Sequence, residues 1–545
     1  MRHNHPLHSR LLTLSAPLLL TLPALAQDAV PLVMQGDTIP GIGDVQILLR
    51  VWVNSRGDWL AEVDTDAPAG TDNVLLLNGT PILREGDPVS DPGGTVRTID
   101  DVDLNELGQV MVNHTLLGSP SGATNDHAVY IDGSLVALEG DAVTAPQVTP
   151  GTTFVSFEAV DITDAGSALL RGAYDDPAVQ GSADEFIMRV GLDTNGSITS
   201  QEVLAVESQI APGTSRTINF IRRRHVEAAL GSCGDVLWGA DLDGDVADDA
   251  IVYFNDTLIA REGTLTDVGT TWGELDDYVS DVNDAGDWLL SDRLADNTRS
   301  IVINGETRVE EGDVLPATEP FPIDSVGAAH AELDDAGRVL WHGDWNDGAN
   351  SVGLFVDNEL VVQRGVTRVG GAPIQGLANG PQVFTTSANG RFIVFRGSVS
   401  GGGDGFFLMD RALGSPYCSS GANSTGFAST IHASGSLSIT SDNLTLIADN
   451  LPAGQAGLFY LGPRQLQAPF GNGVRCVGGP NVHRLRTQLA SKGGLLAQQV
   501  DYQAPELAGD LVSGSTWNFQ AWFRDTQSGG AGFDLSNAVS LTFQP

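Results

Sequence analysis

The sequence predicts an all-β protein: a seven-bladed β-propeller closed by an N-terminal strand, followed by a small antiparallel β-sandwich. Three observations lead there. Apolar residues alternate at period 2 through most of the 545 residues, and few segments hold a 3.6 period. Two kinds of turn recur in units of about 50 residues, each unit having room for four short strands, the spacing of a propeller blade. The last unit lacks its fourth strand, and an orphan strand with a fourth-strand ending stands at the N-terminus.

Residues 1–26 read as a secretory signal. Arg2 and Arg10 precede the apolar run Leu11 to Leu22, and Ala24-Leu25-Ala26 offers a small-x-small cleavage site. The run is short for a membrane span, and no later segment is long enough for one. Export and no membrane span in the mature chain are therefore expected.

Residues 27–414 carry the repeats. The inner turn, an Asx-like residue three before a glycine, appears as Asn54–Gly57, Asn105–Gly108, Thr163–Gly166, Gly231–Gly234, Asn283–Gly286, Asp334–Gly337 and Ser387–Gly390. A second turn appears as Asn78-Gly79, Asp132-Gly133, Asn255-Asp256, Asn304-Gly305 and Asp357-Asn358. Asn-Gly and Asp-Gly supply the two positive-φ positions of a type I′ hairpin turn. Eight residues after each comes Gly86, Gly140, Gly263, Gly312 or Gly365, several of them followed by Asp. The third unit departs, with a longer hairpin around Asn195-Gly196 and no closing glycine. The orphan strand Pro31–Gly36-Asp37 has the Gly-Asp ending and would complete the seventh unit, removing two sheet edges.

Residues 415–545 lose the repeat but still alternate, at 436–440, 444–448, 457–461, 517–523 and 539–543. That suits a small antiparallel sandwich. Three cysteines are too few for a disulfide framework. Cys418 and Cys476 fall in this region and would pair if the chain is exported; two unpaired thiols are the other reading. Cys233 is left over and is expected to be a buried thiol.

The Asn-x-x-Gly units with Glu-Gly-Asp endings resemble the tandem NxxG-repeat propeller proteins exported by bacteria. The strings PFGNGVRCVGG (469–479) and FQAWFRD (519–525) resemble a C-terminal module common in such secreted proteins. The resemblance implies export and β-structure. It brings no catalytic residue.

The formal net charge is −41. Such a chain is unsuited to nucleic acid, whose phosphates need Lys and Arg, and suited to cations or a basic partner. One lysine, Lys492, is present, so the basic residues are nearly all Arg. The most specific local motif is Asp241-Leu-Asp243-Gly-Asp245-Val-Ala-Asp248-Asp249. Carboxylates at positions 1, 3, 5 and 9 of a tight loop can surround one Ca²⁺, which takes six to eight oxygen ligands. Asp241, Asp243, Asp245 and Asp249 are the expected ligands of a structural calcium; an Asp-rich surface turn is the alternative. The Asp that follows four of the crossing glycines (Asp37, Asp87, Asp141, Asp313) reads as an Asx-type turn. The loops between second and third strands would make one face strongly negative. Trp272 and Trp345 are candidates for stacking on a sugar, and His330 and His342 flank the sixth inner turn. No zinc-protease, nucleophile-elbow or phosphate-loop motif occurs.

The expected function is that of a non-enzymatic extracellular or cell-envelope binding or scaffold protein, its ligand a polysaccharide or a protein. The alternative is a secreted carbohydrate-active hydrolase or lyase with acidic residues near the axis. A compact group of His, Arg and carboxylate at the axis would favour the enzyme. An axis of small and apolar residues would favour the scaffold.

Overall fold

A computed structural model of the chain describes residues 28–178, 184–221, 228–231, 233–275, 278–348, 351–504, 507 and 509–545. The signal segment 1–26 and the basic run Arg222 to Arg224 lie outside the described residues. Within them the chain is all β, with no α-helix and hence no helix long and apolar enough to cross a membrane.

Residues 28–410 form seven antiparallel sheets of four to six strands. The first is typical. Gly43–Val53 pairs with Trp59–Thr65, then Asn73–Leu77, then Thr80–Arg84. The first strand of each sheet packs against the neighbouring sheet, and the seventh packs back on Gly43–Val53. The interfaces are apolar. Val45, Leu48, Val51 and Val63 of the first sheet bury with Val394 and Phe406 of the seventh, and Val279 and Leu289 of the fifth with Val326 and Trp341 of the sixth.

The orphan strand Val30–Met34 adds antiparallel to Gly403–Asp410, the last strand of the seventh sheet, in the register Val30 opposite Leu408 and Met34 opposite Gly405. Its continuation joins the first sheet, where Gly36 donates to the carbonyl of Val45 and Val45 to that of Asp37. One short segment thus ties the two ends of the ring.

The turn residues behave as their chemistry demands. Asn78, Asp132, Asn255, Asn304 and Asp357 have φ of about 50°, and the closing glycines Gly86, Gly140, Gly263, Gly312 and Gly365 are all positive. In the third sheet, which lacks that glycine, Ser208 takes the positive φ (68°) instead. After the crossing glycine, the side chains of Asp37, Asp141 and Asp313 accept from the N–H three residues back, at Met34, Leu138 and Glu310.

Residues 415–545 form two packed sheets and a hairpin. The larger sheet runs Ser415–Tyr417, Phe533–Thr542, Thr516–Arg524, Ala456–Gly462, His483–Arg484. The smaller is Thr430–Ser434, Thr445–Asp449, Leu496–Gln499. Ile431, Leu446, Phe459, Phe519 and Leu541 share the core between them. The strand expected at 436–440 lies instead at 430–434, because Gly435 turns the chain at φ 92° and ends it. The hairpin Arg464–Phe470 and Gly473–Gly478 covers the far face of the larger sheet. Cys418 and Cys476 are joined as a disulfide with Cα atoms 6.3 Å apart. Trp272 and Trp345, proposed above for sugar stacking, are both buried in the interfaces between sheets, so they are core residues. Cys233, expected buried, is exposed; its thiol donates to the carbonyl of Asp284.

Candidate functional site: the central cavity

All seven sheets contribute to one cavity of about 170 Å³ at the centre of the ring. Its wall is made where the first strand of each sheet runs into its inner turn. Seven carboxylates line it: Asp103, Glu106, Asp164, Asp281, Asp284, Glu332 and Asp335. No histidine, arginine or lysine does so among the described residues. Neither of the two axial linings anticipated above is found. The repeated small and apolar residues are interrupted by acids, and a basic side chain stands behind the wall: Nε2 of the buried His330 lies 3.7 Å from the Glu332 carboxylate.

The reason lies in the backbone. The first strand of a sheet has a ladder partner on one side only, so N–H groups on its central edge need another acceptor. The carboxylates supply it across the gap between sheets. Asp101 and Asp103 accept from Val160 and Ile162 (2.9 and 2.8 Å), Asp281 from Leu333 (2.6 Å) and Glu332 from Thr386 (2.8 Å). Each of these bonds runs from one sheet to the next. The turn acids run the other way. Glu106 accepts from Ser55 (2.7 Å), Asp164 from Leu107 (3.1 Å) and Asp335 from Asp284 (2.9 Å).

The inner turns are hooked together as well. The Asn54 carbonyl oxygen accepts from the N–H of Arg56 and Asp58 and closes its own turn, while its amide donates to the backbone carbonyl of Asn105 in the next turn. Asn105 reaches Thr163 in the same way, and Asn283 reaches Asp334. Only a side chain with both an acceptor and a donor can do both, which accounts for asparagine in this place.

Crowding shifts the acids upward. Burial, opposed by the bond from Ser55 and helped by the charge of Asp164, raises the Glu106 carboxyl to about 8. Burial and the nearby charge of Glu332 raise Asp281 to about 7. Asp335 is raised well above the usual range by burial and by Asp284.

The sequence signal for this belt is an acid two residues before, and another one after, the first turn residue. It is present as Asp103/Glu106, Asp161/Asp164, Asp281/Asp284 and Glu332/Asp335. The turn residues alone do not show it; their flanking positions do. His330 and His342 lie outside the lining and are buried, and burial lowers His342 to about 4.

The Asp241–Asp249 loop is a separate place, in the fourth sheet. Asp241 sits on the strand Val236–Leu242, paired with Phe220 and Ala250. The side chain of Asp243 accepts from the N–H of Thr217, and that of Asp245 from Ala247. Asp249 closes the loop through its backbone, accepting from Leu242. Backbone oxygens of the loop face Arg216. Its guanidinium donates to the carbonyls of Asp243, Asp245 and Asp248 and to the Asp248 carboxylate (2.6 Å); Arg261 holds the other Asp248 oxygen, also at 2.6 Å. These carbonyls are arranged for a guanidinium, which a Ca²⁺ using them would have to displace. Among the described residues no group of three or more His, Cys, Asp or Glu is placed to hold a metal ion.

A direct test follows. Arg216→Met strands loop carbonyls that a guanidinium now satisfies, at a cost of about 1–3 kcal/mol. The variant should melt a few degrees lower, and Ca²⁺ should raise its melting temperature more than it raises that of the wild type. An equal rise in both proteins would place any calcium elsewhere.

No family model matches the chain, and no curated protein matches it. Among solved structures, the Dos1 propeller aligns with a TM-score of 0.30 at 9% identity, over 70% of this chain and 93% of that one. A Penicillium chrysogenum α-L-arabinanase complexed with arabinobiose aligns at 0.28 and 11%, over 70% and 98%. A puromycin hydrolase aligns at 0.32 and 12%, over 68% of this chain and 56% of that one. Each is a distant likeness, and no residue of the cavity is assigned from it.

Proposed function

We propose that the seven sheets are the blades of an exported β-propeller closed by Val30–Met34, that residues 415–545 are a β-sandwich module, and that the protein is a non-enzymatic extracellular or cell-envelope binding or scaffold protein. The observation that carries this reading is how the central carboxylates are used. Asp103, Glu106, Asp164, Asp281, Glu332 and Asp335 all accept backbone N–H groups from a neighbouring sheet, so they hold blades together. The cavity is also below the range of about 300–1,000 Å³ usual for small-molecule sites.

The second reading is a carbohydrate-active hydrolase or lyase. One observation favours it: Asp281, with its carboxyl raised to about 7, shares the cavity with Glu332. An acid held protonated near neutrality beside a second carboxylate is what general acid catalysis of glycoside cleavage uses.

One assay separates the two. Residues 27–545 are incubated with a panel of envelope and extracellular polysaccharides, and retention and released product are recorded together. Retention without product is expected. Product that disappears in Asp281→Asn would overturn the binding reading and move the chemistry to the cavity.

A further inference from the structure

Charge is distributed very unevenly along this chain. Residues 28–414 hold 62 Asp and Glu against 20 Lys and Arg, whereas residues 415–545 hold seven against six. Within the module, residues 451–500 hold five basic residues and no acid. The two parts also treat their arginines differently. In the ring, twelve arginines have a carboxylate oxygen within 4.0 Å. In the module, the ion pairs among the described residues are His483 with Asp510 and Lys492 with Asp235. Arg464, Arg475, Arg484 and Arg524 have none there, in a protein with 69 acids.

The layering decides where these arginines point. Side chains alternate along the smaller sheet, so Ile431, Ala433, Leu446 and Ala448 face the larger sheet while Ser434 and Asp449 face the ring. There Ser434 accepts from Arg338 (2.5 Å) and Asp449 from Asn389 (2.9 Å). The order is therefore ring, smaller sheet, larger sheet, hairpin, and the hairpin is the outermost layer. Arg464 and Arg484 stand at one end of it, the latter paired with Tyr460 on the covered face. Arg475 lies midway. At the other end Phe470, 47% exposed, packs on Phe533, which meets Trp522 under the Arg524 guanidinium. Aromatic anchors with arginine are the composition of a recognition surface; the acids beside them are Asp534, which is buried against the hairpin, and Asp510, which is paired with His483.

The opposite end of the molecule is its complement. The module sits on the face of the inner turns. The loops between second and third strands, and the crossings between sheets, open on the other face. Acids crowd there in sheet after sheet. Burial and then the charge of Asp72 raise the Glu85 carboxyl; Asp313 does the same to Glu310, and Asp324 to Asp344. Such a face gains from a basic partner.

We infer that the basic, aromatic hairpin layer of the module docks onto the acidic loop face of a second copy of this chain, so that copies associate head to tail. The contact is heterologous and does not close on itself, so the assembly grows beyond a dimer. This inference does not depend on the polysaccharide reading above. Each copy is strongly acidic, so long-range repulsion opposes the encounter. At about 0.15 M salt that repulsion is screened beyond roughly 8 Å while contact pairs persist.

Sedimentation velocity on residues 27–545 tests it across a wide concentration range at about 0.15 M salt and again at about 1 M, where the screening length is about 3 Å. The expected result is a weight-average mass that rises with concentration without stopping at the dimer, and that falls to the monomer at high salt. The variant R464E/R484E/R524E should stay monomeric with an unchanged melting temperature. A second variant, E85R/E310R, should also be monomeric alone and should associate when mixed with the first. A monomeric wild type at every concentration overturns the inference, as does association that persists in both variants. A monomeric wild type retained on a polyuronate would make the hairpin layer a polysaccharide site and would equally overturn it.

Discussion

Deleting residues 30–37 should destabilise the whole ring of sheets, not merely its N-terminus. Val33 is 5% exposed and buries with Val45, Leu48, Val394 and Phe406 from two different sheets. The same segment provides the outer strand of the seventh sheet and the bonds to Val45 of the first. Its loss removes the burial of Val33 and part of that of Leu32 and Met34, on the order of 5 kcal/mol at about 1.5–3 kcal/mol per buried side chain. It also uncovers the edge of Gly403–Asp410 to other chains. The expected outcome is one cooperative transition about 10 °C lower, at roughly 2 °C per kcal/mol for a large domain, with faster aggregation. A synthetic peptide of residues 28–38 added in excess should recover part of the loss, because the strand pairs without a covalent requirement. An unchanged melting temperature would mean that the ring does not depend on this strand for closure.

That this strand could be found in the sequence at all depends on local chemistry. Its Gly36-Asp37 ending repeats Gly140-Asp141 and Gly312-Asp313, and each uses a positive-φ glycine followed by a carboxylate that caps the strand behind it. Both kinds of turn were legible because their constraints are local: a type I′ hairpin turn restricts two adjacent residues, and the inner turn is closed by an Asx-like residue and a positive-φ glycine three positions on. The cavity was not legible as a site. Asp281 bonds Leu333, and Glu106 bonds Ser55, each across about 50 residues and between different sheets. No local rule demands an acid at either position; the demand comes from an unpaired strand edge that exists only once the ring has formed. Arg216 was invisible for the same reason. The carbonyls of Asp243, Asp245 and Asp248 lie 27 to 32 positions from it, and from the acids alone the loop reads as a cation site.

The carboxylate belt gives the second large effect, a fall in stability on the alkaline side. A carboxyl raised in the folded state keeps its proton where the unfolded chain has lost it. The folded state then binds more protons, and stability falls as pH rises, until the folded carboxyl itself ionises. For Asp281 and Glu106 that fall ends at about 7 and about 8, and Asp335 acts in the same direction. The buried histidines act oppositely. Burial lowers His114 and His342 to about 4 and His432 to about 3, so their contribution is lost as pH falls below about 6.5. The window that isolates the carboxyls is therefore pH 6.5 to 8.5. Across it the wild type should lose several degrees of melting temperature, on the order of 1 kcal/mol or more per raised group. In Glu106→Gln with Asp281→Asn most of that slope should vanish, because neither amide titrates. The slope is the decisive quantity. An amide in place of a carboxylate changes the bonds to Ser55 and Leu333 by an amount that does not vary with pH, so a lower but parallel curve would mean that these two groups are not the ones titrating. A flattened curve would identify the ionisation of these two buried carboxyls, each wedged between neighbouring sheets, as what sets the upper pH limit of the fold.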